Sequence, residues 1–284
     1  MGKTRRYAVC WILATWIIFV ATAGWAGSIV LTGHDPDFHA AFGEAGEIHF
    51  NQIAIPFVMD PAFNAFKAGG VNKFLFVESQ ISPPGGHTDG LAGLTASGYT
   101  IGTDFDLATA TTLNSALNNL GITYSALVVA SDFGGILTQA ELNILNGRSA
   151  DIISFLNAGG GLYAMAESDT GAGLTPGGGQ FGYLPFTTTS TAIGYCGPIS
   201  VTPFGASLGF TSFGVCGDHN FFTRTFGLSI VDFIPGTEQI ISLAGRGTTT
   251  PIGVTPAPEP STLLLVGTSL VGLLGYKARR KKAV

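Results

Sequence analysis

Charged residues are scarce in this chain: only 11% of the 284 residues are Asp, Glu, Lys or Arg. Eight of the 13 basic residues lie at the two chain ends, so the long middle part holds five basic residues against 17 acidic ones. A nucleic-acid-binding domain needs a basic surface, so this charge distribution excludes nucleic acid as a partner. Hydrophobic residues make up 46% of the chain, which is enough for a packed core and excludes a wholly disordered protein.

Cysteine is also scarce, with three residues in the chain. Cys10 lies in an N-terminal apolar segment, which leaves Cys196 and Cys216, each in a Gly-x-Cys-Gly setting. An exported chain with two cysteines usually bridges them, so we predict a Cys196–Cys216 disulfide. Metal binding by the two thiolates is a poorer interpretation, because no second cysteine pair and no nearby His-x-His accompanies them.

The N-terminal residues 1–26 are typical of a secretory signal peptide. Lys3, Arg5 and Arg6 form a basic start, and an apolar run follows from Ala8 to Val20. Ala21-Thr22-Ala23 then offers the small-residue pattern that signal peptidase cuts. A retained membrane anchor is the alternative, because the apolar run is long for a signal peptide. Either interpretation predicts that the following domain is exported.

The C-terminal end carries three elements in a fixed order. Pro258-Glu259-Pro260 comes first, an uncharged apolar run over residues 261–276 follows, and the basic cluster Lys277–Lys282 ends it. The apolar run is slightly shorter than the ~20 residues of an average bilayer span. Basic residues beside a membrane segment stay on the cytoplasmic side. The sequence therefore predicts a transmembrane segment at 261–276 with the preceding domain outside.

This order of elements resembles the PEP-CTERM sorting signal of Gram-negative bacteria. The residues that carry the resemblance are Pro258, Glu259, Pro260, Arg279 and Arg280, within a signal at 258–282. The resemblance implies an exosortase and the secretion machinery as partners, an intermediate anchored in the inner membrane, and release to the cell surface or extracellular matrix. An ordinary tail anchor is the alternative. A Thr/Pro-rich linker at 248–257 precedes the signal, so the folded domain is expected at 28–247.

Within that domain, unbroken apolar runs alternate with helical patterns. Strands are predicted at 28–33, 73–78, 126–131 and 162–166, and helices at 47–59, 106–120 and 138–156, the last one bent or split at Asn146-Gly147. Continuous apolar strands between helices predict an α/β domain with a doubly wound, mostly parallel sheet. Shorter strands at 187–191, 199–202, 228–233 and 239–244 are expected as edge strands or an antiparallel cap.

The N-terminal half of the domain resembles the class I glutamine amidotransferase-like superfamily, in particular its trehalose-utilisation branch. The segments that carry this resemblance are 29–34, 126–135, 138–142 and 155–162. It implies an amidotransferase-like or flavodoxin-like sheet. Active members place a nucleophilic cysteine after the strand that ends near Ala166, where this chain reads Tyr-Ala-Met-Ala-Glu-Ser-Asp over 163–169. The cysteine is missing and no Gly-x-Ser-x-Gly surrounds Ser168, so amidotransferase chemistry is not expected.

Histidine and acidic residues follow the predicted strands. Because ligands bind beyond the carboxyl ends of strands in an open α/β sheet, these residues are candidates for one site. Imidazoles with carboxylates favour Zn²⁺ or another divalent metal, and Asp-x-Asp alone would favour Ca²⁺. Turn capping with local hydrogen bonds is the structural alternative, and a small polar ligand such as a sugar, without metal, is a third. The candidates are His34, Asp35, Asp37, His39, His87, Asp89 and Asp132.

Three functions are compatible with these patterns. The first is a non-catalytic exported protein of the cell envelope or extracellular matrix that binds a partner such as a polysaccharide or a small polar ligand. The second is a metal-assisted hydrolase that acts on a glycan at the His/Asp residues. The third is a structural matrix component, which the acidic, Thr- and Gly-rich composition favours. The missing nucleophile favours the first, and the His/Asp loops favour the second.

Overall fold

The computed structural model of the chain describes residues 26–79, 90–131, 137–165, 181–188 and 190–247. The predicted signal peptide, apart from Ala26, lies outside these ranges, as do the linker, the sorting signal and the candidates His87, Asp89 and Asp132. In the ranges described, no helix combines the length and the apolar character that a membrane span requires.

Five parallel strands form one half of the sheet: β1 (Ser28–Thr32), β2 (Lys73–Val77), β3 (Phe105–Ala108), β4 (Tyr124–Val129) and β5 (Gly161–Met165). They lie in the spatial order β3-β2-β4-β5-β1, and every neighbouring pair is parallel. All residues of β1, β4 and β5 are buried, as expected for strands covered on both faces. The predicted α/β class with a parallel core is confirmed.

Eight α-helices surround the sheet: α1 (Pro36–His39), α2 (Ala45–Val58), α3 (Ala65–Ala68), α4 (Gly90–Ala96), α5 (Leu113–Ala116), α6 (Gln139–Gly147), α7 (Ser149–Asn157) and α8 (Pro203–Leu208), all counted over the ranges described. Two buried clusters show that helices cover both faces. Leu127 of β4 packs in the cluster that holds Leu142 and Ile152, and the next residue, Val128, packs in the cluster that holds Phe50. Successive strand residues point to opposite faces, so the sheet has a core on each side.

An antiparallel half extends the sheet beyond β1. Its strands are β6 (Ser190–Pro198), β7 (Ser200–Val201), β8 (Gly214–Phe222), β9 (Ser229–Phe233) and β10 (Ile240–Arg246). β10 pairs with β1 and with β8, and β6 pairs with the outer edge of β8. β9 pairs with both β10 and β7, and all of these pairs are antiparallel. The short strands predicted at 199–202, 228–233 and 239–244 correspond to β7, β9 and β10, which belong to the same sheet and do not form a separate cap. The sequence pattern missed β8, because its Gly-Val-Cys-Gly-Asp-His run resembles a glycine-rich loop.

The strand order corrects the predicted flavodoxin-like arrangement. In a flavodoxin-like sheet the first strand lies between the second and the third, in the order 2-1-3-4-5. Here β1 lies between β5 and β10, and β2 lies between β3 and β4. The sheet is therefore mixed, and β1 marks the boundary between its parallel and antiparallel halves.

The predicted helix over 106–120 is also wrong. Residues 105–108 form β3, which pairs with β2 in parallel from Phe74↔Phe105 to Val77↔Ala108. Only the later part of the segment is helical, in α5 and a 3-10 turn at Leu117–Asn119. Pairing with β3 satisfies the backbone N–H and C=O groups along one edge of β2, which a helix over residues 105–108 would leave unpaired. The predicted break at Asn146-Gly147 is confirmed, because α6 ends at Gly147 and α7 begins at Ser149.

Both ends of the described domain lie together. The N–H of Gly247 donates to the carbonyl of Gly27 over 2.9 Å, and Ser28 pairs with Arg246 at the start of β1. The connections toward the signal peptide and toward the linker therefore leave from one corner, at the amino end of the parallel strands.

Candidate functional site

The chain turns sharply where β1 ends, and this turn positions His34. The Gly33 N–H donates to the carbonyl of Ile241 over 2.8 Å, and the Gly33 carbonyl accepts from Asn220 over 2.9 Å. A Cβ at Gly33 would lie 1.8 Å from the carbonyl oxygen of Asn220, so only glycine fits between β10 and β8. The next residue, His34, is therefore directed into the interior beside the antiparallel strands.

His34 lies in a buried cluster of titratable side chains, which we call the His34 cluster: His34, Glu47, His219 and Asp232. All four are at most 1% exposed. The Nε2 atom of His34 lies 3.4 Å from Oδ2 of Asp232 on β9, and its ring lies edge-on to His219 of β8 with centroids 5.5 Å apart. Sequence reasoning found only His34, since the other three are supplied by α2 and by two antiparallel strands.

Burial and neighbouring charge set the pKa values in the His34 cluster. Burial alone would lower the pKa of His34, but the Asp232 carboxylate, helped by Glu47, more than offsets it and raises that pKa. Burial raises the pKa of Glu47 to about 8, and burial lowers the pKa of His219 to about 3. At neutral pH the cluster therefore holds a proton on Glu47 and a neutral His219. Because these side chains are buried, the cluster does not contact a dissolved substrate in this conformation.

Asp37 has a different environment from His34. One oxygen of its buried carboxylate, Oδ2, accepts from the N–H of Ser131 over 2.9 Å and from the Ser131 hydroxyl over 3.2 Å. Burial raises the pKa of Asp37 to about 6, although these hydrogen bonds oppose the shift. Ser131 follows β4, so this contact joins the segments after β1 and β4 at the carboxyl edge of the sheet. Asp132, the next residue, lies outside the described residues.

Asp35 and His39 form a third, more superficial group at the same edge. The Nδ1 atom of His39 lies 2.8 Å from Oε1 of Glu44, and its Nε2 atom lies 3.4 Å from Oδ1 of Asp35. His39 is 18% exposed, whereas Asp35 is fully buried. The four candidates after β1 thus separate into three environments, around His34, around Asp37 and around His39.

Across residues 26–79, 90–131, 137–165, 181–188 and 190–247, no three His, Cys, Asp or Glu side chains are arranged to hold a metal ion. His39 makes local contacts with Asp35 and Glu44, whereas Asp37 accepts hydrogen bonds from Ser131, which is distant in sequence. The predicted ligands His87, Asp89 and Asp132 lie outside the described residues.

The two domain cysteines occupy opposite positions of one ladder. β6 and β8 pair antiparallel from Ser190↔Phe222 to Pro198↔Gly214, and Cys196 is the direct partner of Cys216. Residues opposite each other in an antiparallel pair have Cα atoms about 4.5–5.5 Å apart. This separation lies within the range that a disulfide spans, so the backbone register supports the predicted bridge.

A cleft of about 660 Å³ opens at the other edge of the sheet, where sequence reasoning placed no site. The cleft is lined by α2, by α8 and by residues at the amino ends of β2 and β3. Arg246, at the end of β10, lines one end of the cleft. Small-molecule sites typically have volumes of about 300–1,000 Å³. The cleft therefore has the size of a ligand site, and it lies beside the corner where both chain connections leave.

Arg246 is fixed at the end of this cleft. Its guanidinium carbon lies 4.3 Å from the ring centre of Phe57 and 3.9 Å from that of Phe63. Its Nη2 donates to Oδ2 of Asp60 over 2.8 Å. A guanidinium held by aromatic rings and a carboxylate is preorganised. One sequence signal marks this residue, since Arg246 is among the five basic residues between the two basic ends of the chain.

The fold and these sites define an α/β domain with a buried polar cluster at one sheet edge and an open cleft at the other. Residues 256–281 match the family model described as the PEP-CTERM protein-sorting motif. The match confirms the predicted sorting segment and supports an exported protein that an exosortase processes at the membrane. Comparisons with curated proteins and with solved structures found no match. The amidotransferase-like resemblance is accordingly supported by no family or structure match.

Proposed function

We propose that this chain is an exosortase-sorted protein of the cell surface or extracellular matrix whose α/β domain binds a ligand in the cleft. The observation that carries the binding role is the cleft itself, open to solvent and lined by aromatic, proline and polar residues. The His34 cluster is a poorer candidate for contact with a solute, because its four side chains are buried.

The destination is tested by changing the motif and following processing. In a host that has an exosortase, a Pro258-Glu259-Pro260→Ala-Ala-Ala variant should insert in the membrane but keep its tail, because the apolar run at 261–276 is unchanged. Immunoblots of membrane, periplasmic and surface fractions measure this. Replacing Thr248, Thr249 and Thr250 by serine is the matched control and should leave processing intact. Normal processing of the first variant contradicts the proposed sorting route.

The binding role is tested by filling the cleft. Ser207 is exposed and lines the cleft, so a Ser207→Trp variant should occlude it. Ligand-observed NMR of the exported protein against a library of neutral, anionic and apolar small molecules should detect binding to the wild type and not to this variant. A Ser115→Trp variant on α5, which is also exposed, should bind as the wild type does. Absence of binding in the wild type for every class contradicts the proposal.

A distant relationship of residues 28–168 to the amidotransferase-like superfamily is a further part of the proposal. Four parallel strands that alternate with helices over β1, β2, β4 and β5 support it. The strand order limits the relationship to general architecture. An experimental structure in which these four strands superpose on a superfamily member with the same connectivity would establish it, and a different connectivity would exclude it.

A further inference from the structure

We propose that the ligand of the cleft is a neutral saccharide. The inference rests on the proposed binding function and adds the chemical class of the ligand. Three features of the cleft support it: flat apolar side chains, hydrogen-bonding groups that line the same cleft, and a balance of opposite charges.

The flat surfaces come from aromatic and proline rings on two sides of the cleft. Tyr99 and Phe74 pack edge to face with ring centres 5.6 Å apart, and Phe74 is buried beneath the half-buried Tyr99. Pro56 is exposed on α2 and lines the same cleft. One face of a sugar ring carries mainly C–H groups, and such a face packs well on a rigid apolar ring. A ligand made only of hydroxyls and charges would gain nothing from these surfaces.

Hydrogen-bonding groups line the same cleft. Pro56 lies inside α2 and has no N–H, so the carbonyl of Gln52, one turn earlier, lacks its usual helical donor. Both residues line the cleft. Nζ of Lys67 donates to Oδ1 of Asn72 over 2.8 Å and has further protons to donate. Acceptors and donors next to apolar faces suit the hydroxyls of a sugar.

The charges of the cleft cancel. Lys67 and Arg246 are its basic lining residues, and Asp60 and Asp104 are its acidic ones. Arg246 is already engaged by Asp60, and the Thr100 N–H holds Oδ2 of Asp104 over 2.8 Å. An anionic ligand such as a phosphate or a uronic acid needs a free cluster of basic groups. The balanced cleft therefore favours a neutral ligand.

Isothermal titration calorimetry of the full exported protein tests the chemical class. The neutral probes are maltotriose, cellotriose and chitotriose, the anionic probe is trigalacturonate, and the apolar probe is Nile red. We expect at least one neutral trisaccharide to bind the wild type. A Tyr99→Ala variant should bind it roughly tenfold more weakly, because one stacking surface is lost. A Phe42→Ala variant, changed at a residue 65% exposed and outside the cleft lining, should bind as the wild type does.

A second variant keeps the proposal testable if Tyr99→Ala does not fold. Asp104→Asn changes a half-buried side chain and removes one negative charge. It should therefore weaken binding of the neutral saccharide and strengthen binding of trigalacturonate. Preferred binding of trigalacturonate or Nile red by the wild type overturns the saccharide proposal and leaves the binding function standing. No binding by any probe overturns the saccharide proposal too, and the broader library then decides the binding function separately.

Discussion

The single residue with the clearest physical consequence is Glu47, whose carboxyl group is buried on the first turn of α2. Burial, with the nearby carboxylates of Asp35, Glu44 and Asp232, raises its pKa from 4.5 to about 8, and His34 opposes the shift. The folded state therefore keeps a proton that the unfolded chain loses above pH 4.5. By linkage, the contribution of Glu47 to stability falls as pH rises through that range and is lost above pH 8.

A Glu47→Gln variant should remove this dependence. Asp37, with a folded pKa of about 6, and His219, which titrates at 6.5 in the unfolded chain, also change protonation near the lower end of a pH 6.5–8 window, but the wild type and the variant share these contributions. The wild type should lose about 1–2 kcal/mol of unfolding free energy over that window, part of it through His34, and the variant should lose less. Urea unfolding at several pH values measures it. An exposed Glu238→Gln control should keep the wild-type slope, and an equal slope in Glu47→Gln contradicts the assignment.

At the scale of elements, unbroken apolar runs predicted β1, β2, β4 and β5 because strands buried on both faces leave that signal. The Thr138-Gln-Ala-Glu141 pattern correctly placed the start of α6, where Oε2 of Glu141 accepts from the Thr138 N–H over 2.8 Å. The pairing of β10 with β1 left no local signal, because it joins residues about 210 positions apart. The cleft was missed for the same reason: Gln52, Tyr99 and Arg246 meet only after the sheet forms.

The β6–β8 ladder carries the element-scale prediction. A Cys196–Cys216 bridge closes a loop of about 20 residues and should contribute roughly 3 kcal/mol by the chain-entropy estimate. A Cys196→Ser variant should lose that amount under oxidising conditions and match the wild type under reducing conditions. Denaturant unfolding with and without dithiothreitol measures it, and thiol titration of the unfolded exported protein should find no free thiol. Two titratable thiols in that protein would exclude the bridge.

At the scale of the whole molecule, the domain should not depend on its sorting segment. The last strand, β10, ends at Arg246, and the chain then enters the Thr/Pro linker. A chain cut after Thr250 should keep the melting temperature of the full exported protein and should collect in the soluble periplasm. A chain cut after Ile241 removes most of β10 from its pairing with β1 and should not fold. A lower melting temperature for the first chain would show that the tail contributes to the core.

The hydrogen bond between Gly27 and Gly247 has a consequence for how the protein matures. Because both connections leave from one corner, we expect the domain to be tethered to the bilayer at that corner while its tail is still attached. The linker at 248–257 reaches about 35 Å at most. In the anchored intermediate, we expect the cleft beside Arg246 to lie nearer the membrane than the opposite edge of the sheet. While the tail is attached, we expect the nearby membrane to hinder access to the cleft. A long polymer should therefore bind in the cleft only after the tail is removed and the protein is released.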